Sequence, residues 1–235
     1  MLAILAGFHL AKYMFKLENK SQKHIVDLLS YVVVGVIIGA RLGHCLFYDP
    51  QSYIANPVKI LAIWEGGLAS HGGGLGAIIA IFIFSKRYHT SFIWLLDRIA
   101  IPTALFGFFV RVANFLNSEI IGVKLNAPWA VTFERIDSIP RHPAQLYEAT
   151  GYLIIFLFLI TIYKKTKIRE CEGAIVGLFL TMTFTVRFFV EFVKEPQASY
   201  SLGIILNTGQ LLSVPFMVIG ALALISIALR HRKGL

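Results

Sequence analysis

Apolar residues fall into seven runs along the chain, at about 1–15, 28–48, 60–84, 92–116, 145–163, 173–193 and 204–229, with one long polar connection at 117–143. A hydrocarbon core about 30 Å thick is crossed by about 20 apolar helical residues. Six of the runs have that length, and the first is a short or truncated span. The pattern predicts an all-α polytopic membrane protein with about seven transmembrane helices. Neither a repeat nor a low-complexity linker divides it, so a single integral membrane domain over 1–235 is expected. Inside 117–143, the alternation Trp129-Ala130-Val131-Thr132-Phe133 between Pro128 and Pro140 predicts a small strand pair in an extramembrane insertion.

The basic residues set the polarity of these spans. Lys16, Lys20 and Lys23 follow the first run, Lys86 and Arg87 the third, and Lys164, Lys165, Lys167 and Arg169 the fifth; Arg230, Arg232 and Lys233 follow the last. Cytoplasmic loops carry such an excess, so these ends and the C-terminus are expected inside. The 117–143 insertion, where Lys124, Arg135 and Arg141 are offset by Glu134 and Asp137, is then extracytoplasmic. The apolar N-terminal run lacks a preceding basic segment and fits a signal peptide poorly. Composition agrees with a membrane: 57% of residues are hydrophobic and 15% charged, against about 25% charged in soluble domains. The net charge of +9 sits in clusters between apolar runs, which argues against a nucleic-acid surface. Cys45 and Cys171 are too few for a disulfide framework and have no ligand neighbour, and the histidines form no metal-binding pair, so neither metal nor cofactor is expected.

Against that apolar background, Arg41, Glu65, His71, Asp97, Arg111, Glu119, Glu148, Arg187 and Glu191 lie in spans or at their rims. A charge at the bilayer centre costs about 2.5–3.5 kcal/mol even on the lenient insertion scale. Two readings stand for the arginines. Arg187 and Glu191, four apart on a helix, neutralise each other, or the guanidinium groups face a common cavity and bind an anion such as a lipid headgroup. The stretch 64–76 holds six glycines in thirteen residues. It reads either as close helix packing or as a helix broken at membrane depth, with His71 on irregular backbone and suited to general-base work. Arg111, Asn114, Asn117 and Glu119 crowd the end of an apolar run and are too polar for lipid. Pro140-Arg141-His142-Pro143 then precedes Gln145, Tyr147 and Glu148, as a helix-start device or as part of the same site.

These motifs closely resemble the bacterial prolipoprotein diacylglyceryl transferases. Residues 110–122 match the family signature Gly-Arg-x-(Gly or Ala)-Asn-Phe-x-Asn-x-Glu-x-x-Gly, except that Val110 stands where glycine is usual. Gly39-Ala40-Arg41-Leu42-Gly43, His71-Gly72-Gly73, Asp97 with Pro102, the 140–148 segment, Arg187 with Glu191 and Glu195-Pro196, and Gly209-Gln210 before Ser213 and Pro215 extend the resemblance over nearly the whole chain. Thr183 stands where tyrosine is common, and family members usually carry a further segment ahead of the position that aligns with Met1. The resemblance implies a seven-helix enzyme of the bacterial plasma (inner) membrane. It would move diacylglyceryl from phosphatidylglycerol to the lipobox cysteine of prolipoproteins, forming a thioether and releasing glycerol 1-phosphate. By matching position it implies His71, Arg111 and Arg187 as catalytic. Arg41, Asn114, Glu119, Gly122, Tyr147 and Glu191 join the two arginines in binding substrate. Composition alone leaves open a small-solute or ion transporter, a non-catalytic scaffold and an inactive divergent paralogue.

Overall fold

The computed structural model describes residues 2–195 and 206–232, the last two without their side chains. Met1, Pro196, Lys233 and the start of the last apolar run lie outside the described residues. Eight α-helices are present among those described: α1 (Leu2–Leu17), α2 (Ile25–Phe47), α3 (Pro50–Ala55), α4 (Ser70–Arg87), α5 (Phe92–Leu116), α6 (Ala144–Lys165), α7 (Ala174–Val190) and α8 (Thr208–Arg232). Five helical stretches are long and apolar enough to cross a membrane: α2, α5, α6, α7 with its extension to Val193, and α8. The other two of the seven expected spans correspond to shorter helices. The first, α1, has only 16 residues. The run at 60–84 is helical in the α sense only from Ser70. Pro57 starts a 3-10 turn, a second 3-10 turn covers Ile63–Glu65, and Gly66 and Gly67 at φ +85° and +71° take the backbone out of any right-handed helix.

The chain packs as two compact units, Ala11–Leu96 and Asp97–Leu235 with Met1–Leu10. Glycine builds the core of the first. A Cβ on Gly35 would stand 2.6 Å from that of Ala80, and one on Gly39 2.8 Å from Gly76 Cα, so α2 and α4 meet backbone to backbone. The Ala69 amide donates to the Ala40 carbonyl at 2.9 Å across this seam. Of the two readings of the 64–76 glycines, close packing holds for Gly72 and Gly76; Gly66 and Gly67 make the backbone before α4 irregular, but His71 is not on it, because the α-helix already begins at Ser70. Arg41, only 3% exposed, holds that irregular segment. Its guanidinium donates to the carbonyls of Ile60 (2.9 Å), Gly66 (2.6 Å), Gly67 (3.3 Å) and Lys59.

The second unit contains the insertion and the helices on either side of it. Fully buried Asp97 accepts hydrogen bonds from the Gly173 and Val176 amides, both at 2.8 Å, and so caps the N-terminus of α7 from the side of α5. The expected strand pair is present. Strands β1 (Val131–Thr132) and β2 (Pro140–Arg141) run antiparallel, with Val131 opposite Arg141. Two extended segments widen it: His142 donates to the Val123 carbonyl at 3.0 Å, Val123 to Val193 at 2.9 Å, and Glu195 to Ile121 at 3.1 Å. The chain leaving α7 is thereby tied to the insertion.

Candidate functional site

The polar residues at the end of α5 and the start of α6 meet inside the second unit. Glu148, fully buried one turn into α6, is the hub. Its Oε2 lies 2.6 Å from Arg111 Nε, an ion-pair contact outside hydrogen-bond angles, and its Oε1 lies 2.9 Å from Lys194 Nζ. Lys194 also reaches Glu191 Oε2 at 3.1 Å. A carboxylate without solvent is tolerable only when paired, and Glu148 has two cations. From Arg111 the network runs outward: its guanidinium donates to Asn114 Oδ1 at 3.2 Å, and Asn114 Nδ2 donates to Glu119 Oε2 at 2.7 Å.

Local backbone makes these contacts possible. Helix α5 stops at Leu116, and the chain turns through Ser118 and Ile120, both at positive φ (59° and 55°). A β-branched residue pays for that region with steric strain. Gln145 Nε2 holds the turn by donating to the Glu119 carbonyl at 2.6 Å. Gly122 is required by proximity: a Cβ there would stand 2.6 Å from that of His142 and 2.8 Å from the Val193 carbonyl. Arg141 pins the insertion from behind, donating to the Gly122 carbonyl at 3.2 Å while paired with Asp137 at 2.6 Å and Glu195 at 3.1 Å. The hydrogen bond from Arg141 holds the Asp137 carboxyl below its ordinary 3.8, and the same pair raises Arg141.

Arg187, on α7, sits four residues before Glu191, which opens the following 3-10 turn; Glu191 turns to Lys194, and the Arg187 guanidinium has no ion pair or hydrogen bond among the described residues. Of the two readings of the arginines, the Arg187–Glu191 neutralisation is not made. Tyr152, 7% exposed, lies against the Arg111 guanidinium and within electrostatic reach of both Glu148 and Arg187. A Cβ on Gly107 would press its ring at 3.0 Å. Tyr147, at the rim, accepts from Trp129 Nε1 at 3.1 Å and lies 3.3 Å from His142 Nδ1.

Of the expected site residues, Arg111, Asn114, Glu119, Gly122, Tyr147, Arg187 and Glu191 all belong to this unit, with Arg111, Asn114 and Glu119 joined in one chain of contacts. His71 and Arg41 belong to the other. His71 stands exposed in the first turn of α4, and the Arg41 donors are taken up by carbonyls of its own unit. Sequence reasoning missed Lys194 as the bridging cation and Tyr152 as the neighbour of both arginines. For Lys194 the signal was its place three residues after Glu191; for Tyr152 it was its place four residues after Glu148, on the same helix face.

The sequence model described as "Prolipoprotein diacylglyceryl transferase" matches residues 1–226. Relatives named phosphatidylglycerol–prolipoprotein diacylglyceryl transferase include one from Tolumonas auensis, 48% identical over 92% of this chain and 84% of its own. One from Chloroherpeton thalassium is 44% identical over 94% and 83%, and one from Bacteroides fragilis 42% identical over 93% and 83%. The chain belongs to the prolipoprotein diacylglyceryl transferase family.

Proposed function

We propose that this chain transfers the diacylglyceryl group of phosphatidylglycerol to the lipobox cysteine of prolipoproteins. It does so as one domain over 1–235 in the bacterial inner membrane, with the insertion outside and the C-terminus in the cytoplasm. Seven passages are reached if α1 and α4 cross beside the five longer helices. The reaction forms a carbon–sulfur bond and breaks the bond between that glyceryl carbon and a phosphate oxygen; the oxygen keeps the electron pair and departs as glycerol 1-phosphate. A thiol of pKa about 8.5 must first lose its proton. His71 takes it, directly or through an oriented water, a role that rests on the His71-Gly72-Gly73 motif.

Negative charge grows on the departing phosphate, and guanidinium groups stabilise it best where water is sparse. The observation that carries this reading is the Arg187 guanidinium, intramembrane and without an ionic partner among the described residues, near the same tyrosine that Arg111 touches. Arg187 clamps the phosphate. Arg111, fixed by Glu148 and Asn114, presents its remaining donors to the lipid, and Glu191 holds Lys194 in place. Asn114, Glu119, Gly122 and Tyr147 shape the mouth of the site, and Arg41 acts through the loop it secures.

The test uses purified protein in phosphatidylglycerol vesicles with a synthetic lipobox peptide, read by mass spectrometry for the adduct. Arg187→Ala is expected to lose transfer by at least a hundredfold while its unfolding temperature stays near wild type, because no described ion pair is broken. Transfer at the wild-type rate from Arg187→Ala would remove the phosphate clamp, and no adduct from the wild type would remove the function.

A further inference from the structure

Buried polar groups in proteins are nearly always hydrogen-bonded, and an orphan calls for an explanation such as a water or a ligand. Among the described residues four side-chain atoms are buried and lack a hydrogen-bond partner: Gln145 Oε1, Glu148 Oε2, Thr183 Oγ1 and Gln210 Nε2. Glu148 Oε2 is accounted for by its ion pair with Arg111. The other three lie on α6, which carries Glu148, on α7, which leads to Glu191 and Lys194, and on α8.

The orientation of each amide is fixed by a backbone partner. Gln145 Nε2 donates to the Glu119 carbonyl, leaving Oε1 as the free atom. Gln210 Oε1 accepts from the Asn207 amide at 3.0 Å while Asn207 Oδ1 accepts from the Gln210 amide at 2.9 Å. This reciprocal capping box starts α8 and leaves Nε2 free. Gln145 and Gln210 are 0% and 2% exposed. Both flank the network. Gln145 is one turn before Glu148 on α6; Asn207, capping partner of Gln210, donates to the Glu191 carbonyl at 3.2 Å. Gly209 packs so closely on the Glu191 carboxyl that a Cβ would stand 2.8 Å from Oε2. Thr183 is one turn before Arg187 on α7.

An amide oxygen, an amide NH2 and a hydroxyl together offer acceptors and donors without net charge. The headgroup of phosphatidylglycerol beyond its phosphate is a glycerol with two hydroxyls, each a donor and an acceptor. Resting on the transferase reading above, we infer that Gln145, Thr183 and Gln210 bind the uncharged glycerol of the lipid headgroup and make the enzyme selective for it. An ammonium headgroup offers donors only, would leave the Gln210 NH2 facing other donors, and would bring a cation toward Lys194 and the arginines. A site built to hydrogen-bond a hydroxyl rejects the analogue that lacks it, since its own buried groups are then left unpaired.

Phosphatidylpropanol keeps the phosphodiester and both acyl chains and lacks the two hydroxyls, so it isolates this term. Wild-type kcat/KM for the lipobox peptide is expected to favour phosphatidylglycerol over phosphatidylpropanol by a hundredfold or more. Thr183→Val keeps the side-chain shape, and Gln210→Met removes the free donor; each is expected to cut that ratio about tenfold, mainly through loss of rate with phosphatidylglycerol. Detergent-solubilised unfolding temperatures serve as the folding check. Should Gln210→Met fail to fold through loss of its cap, Gln210→Glu retains the acceptor that closes the capping box and replaces the NH2. A wild type that uses both lipids equally, or variants that lose activity on both in proportion, would overturn the inference while leaving the transferase reading intact. A wild type inactive on every lipid would instead defeat the transferase reading.

Discussion

Glu148 and Lys194 form a fully buried pair at 2.9 Å, with Arg111 at 2.6 Å on one side and Glu191 at 3.1 Å on the other. At an effective dielectric constant of about 20, unit charges 2.9 Å apart attract by roughly 6 kcal/mol before the cost of taking them out of water is counted. That cost is of the same order, so the pair adds little net stability, yet removing one member strands the other and costs about 3–5 kcal/mol. Glu148→Gln keeps the shape and removes the charge; Lys194→Met keeps the stem and removes the ammonium. Each is expected to lower the free energy of unfolding by about 3 kcal/mol, and the double variant to lose less than the sum by about 2 kcal/mol. The measurement is reversible unfolding in mixed micelles followed by circular dichroism, run on all four proteins of the cycle. A coupling below about 0.5 kcal/mol would mean the groups behave as independent, solvated charges. Glu148 could then not be the element that fixes Arg111, and the proposed division of labour between the two arginines would fall with it.

Two further outcomes follow from local geometry. Gly39→Val forces a side chain to within 2.8 Å of Gly76 Cα and is expected to destabilise by about 1–3 kcal/mol. Gly74→Ala, with nothing within 4 Å of the new carbon, is expected to be neutral or to stabilise by up to about 1 kcal/mol; equal effects of the two on unfolding temperature would refute the packing account. The Asp137 carboxyl is held below 3.8 mainly by its hydrogen bond from Arg141. Its contribution to the insertion is therefore present above that value and lost as pH falls through the lowered one. With Trp64 and Trp94 replaced by Phe, Trp129 emission should stay constant from about pH 7 to 5 and change only below about pH 4. Asp137→Asn should abolish the transition, and a midpoint above about pH 5 would contradict the assignment.

Long apolar runs made the helices α2, α5, α6, α7 and α8 legible, because crossing length and hydropathy leave a local signature in the sequence. The break before Ser70 was only half legible. Glycine at 66 and 67 signalled irregular backbone, but glycine at 72 and 76 gave the same composition for the opposite purpose, and only the facing glycines of α2 decide which is which. The strand pair at 131–141 was readable from alternation, whereas its extension by 193–195 was not, since that pairing depends on a contact far away in sequence. Arg111, Asn114 and Glu119 fall close together in the chain and were read as one cluster. Lys194 read as a loop charge beside Glu195 because nothing local shows that α7 ends in a 3-10 turn, with Lys194 beyond it beside a carboxylate from α6.

The charge balance of the network bears on how it serves the reaction. Glu148 and Glu191 offset two of the three cations Arg111, Lys194 and Arg187, and Glu119 is exposed to solvent with an amide on its carboxylate. Solvent screens Glu119, so the paired network together with the half-buried Arg187 carries about one uncompensated positive charge. A phosphodiester brings one negative charge and neutralises it. When the thiolate attacks, its charge is consumed in the thioether, and the phosphate leaves as a monoester with a second negative charge developing. The negative charge thus moves from sulfur toward the guanidinium groups along the reaction, and an arginine not already committed to a carboxylate gains more from that movement than one that is. If the proposed phosphate clamp holds, Arg187→Ala is therefore expected to lower the transfer rate more than Arg111→Ala does in the vesicle assay, and the reverse order would refute this division between the two arginines.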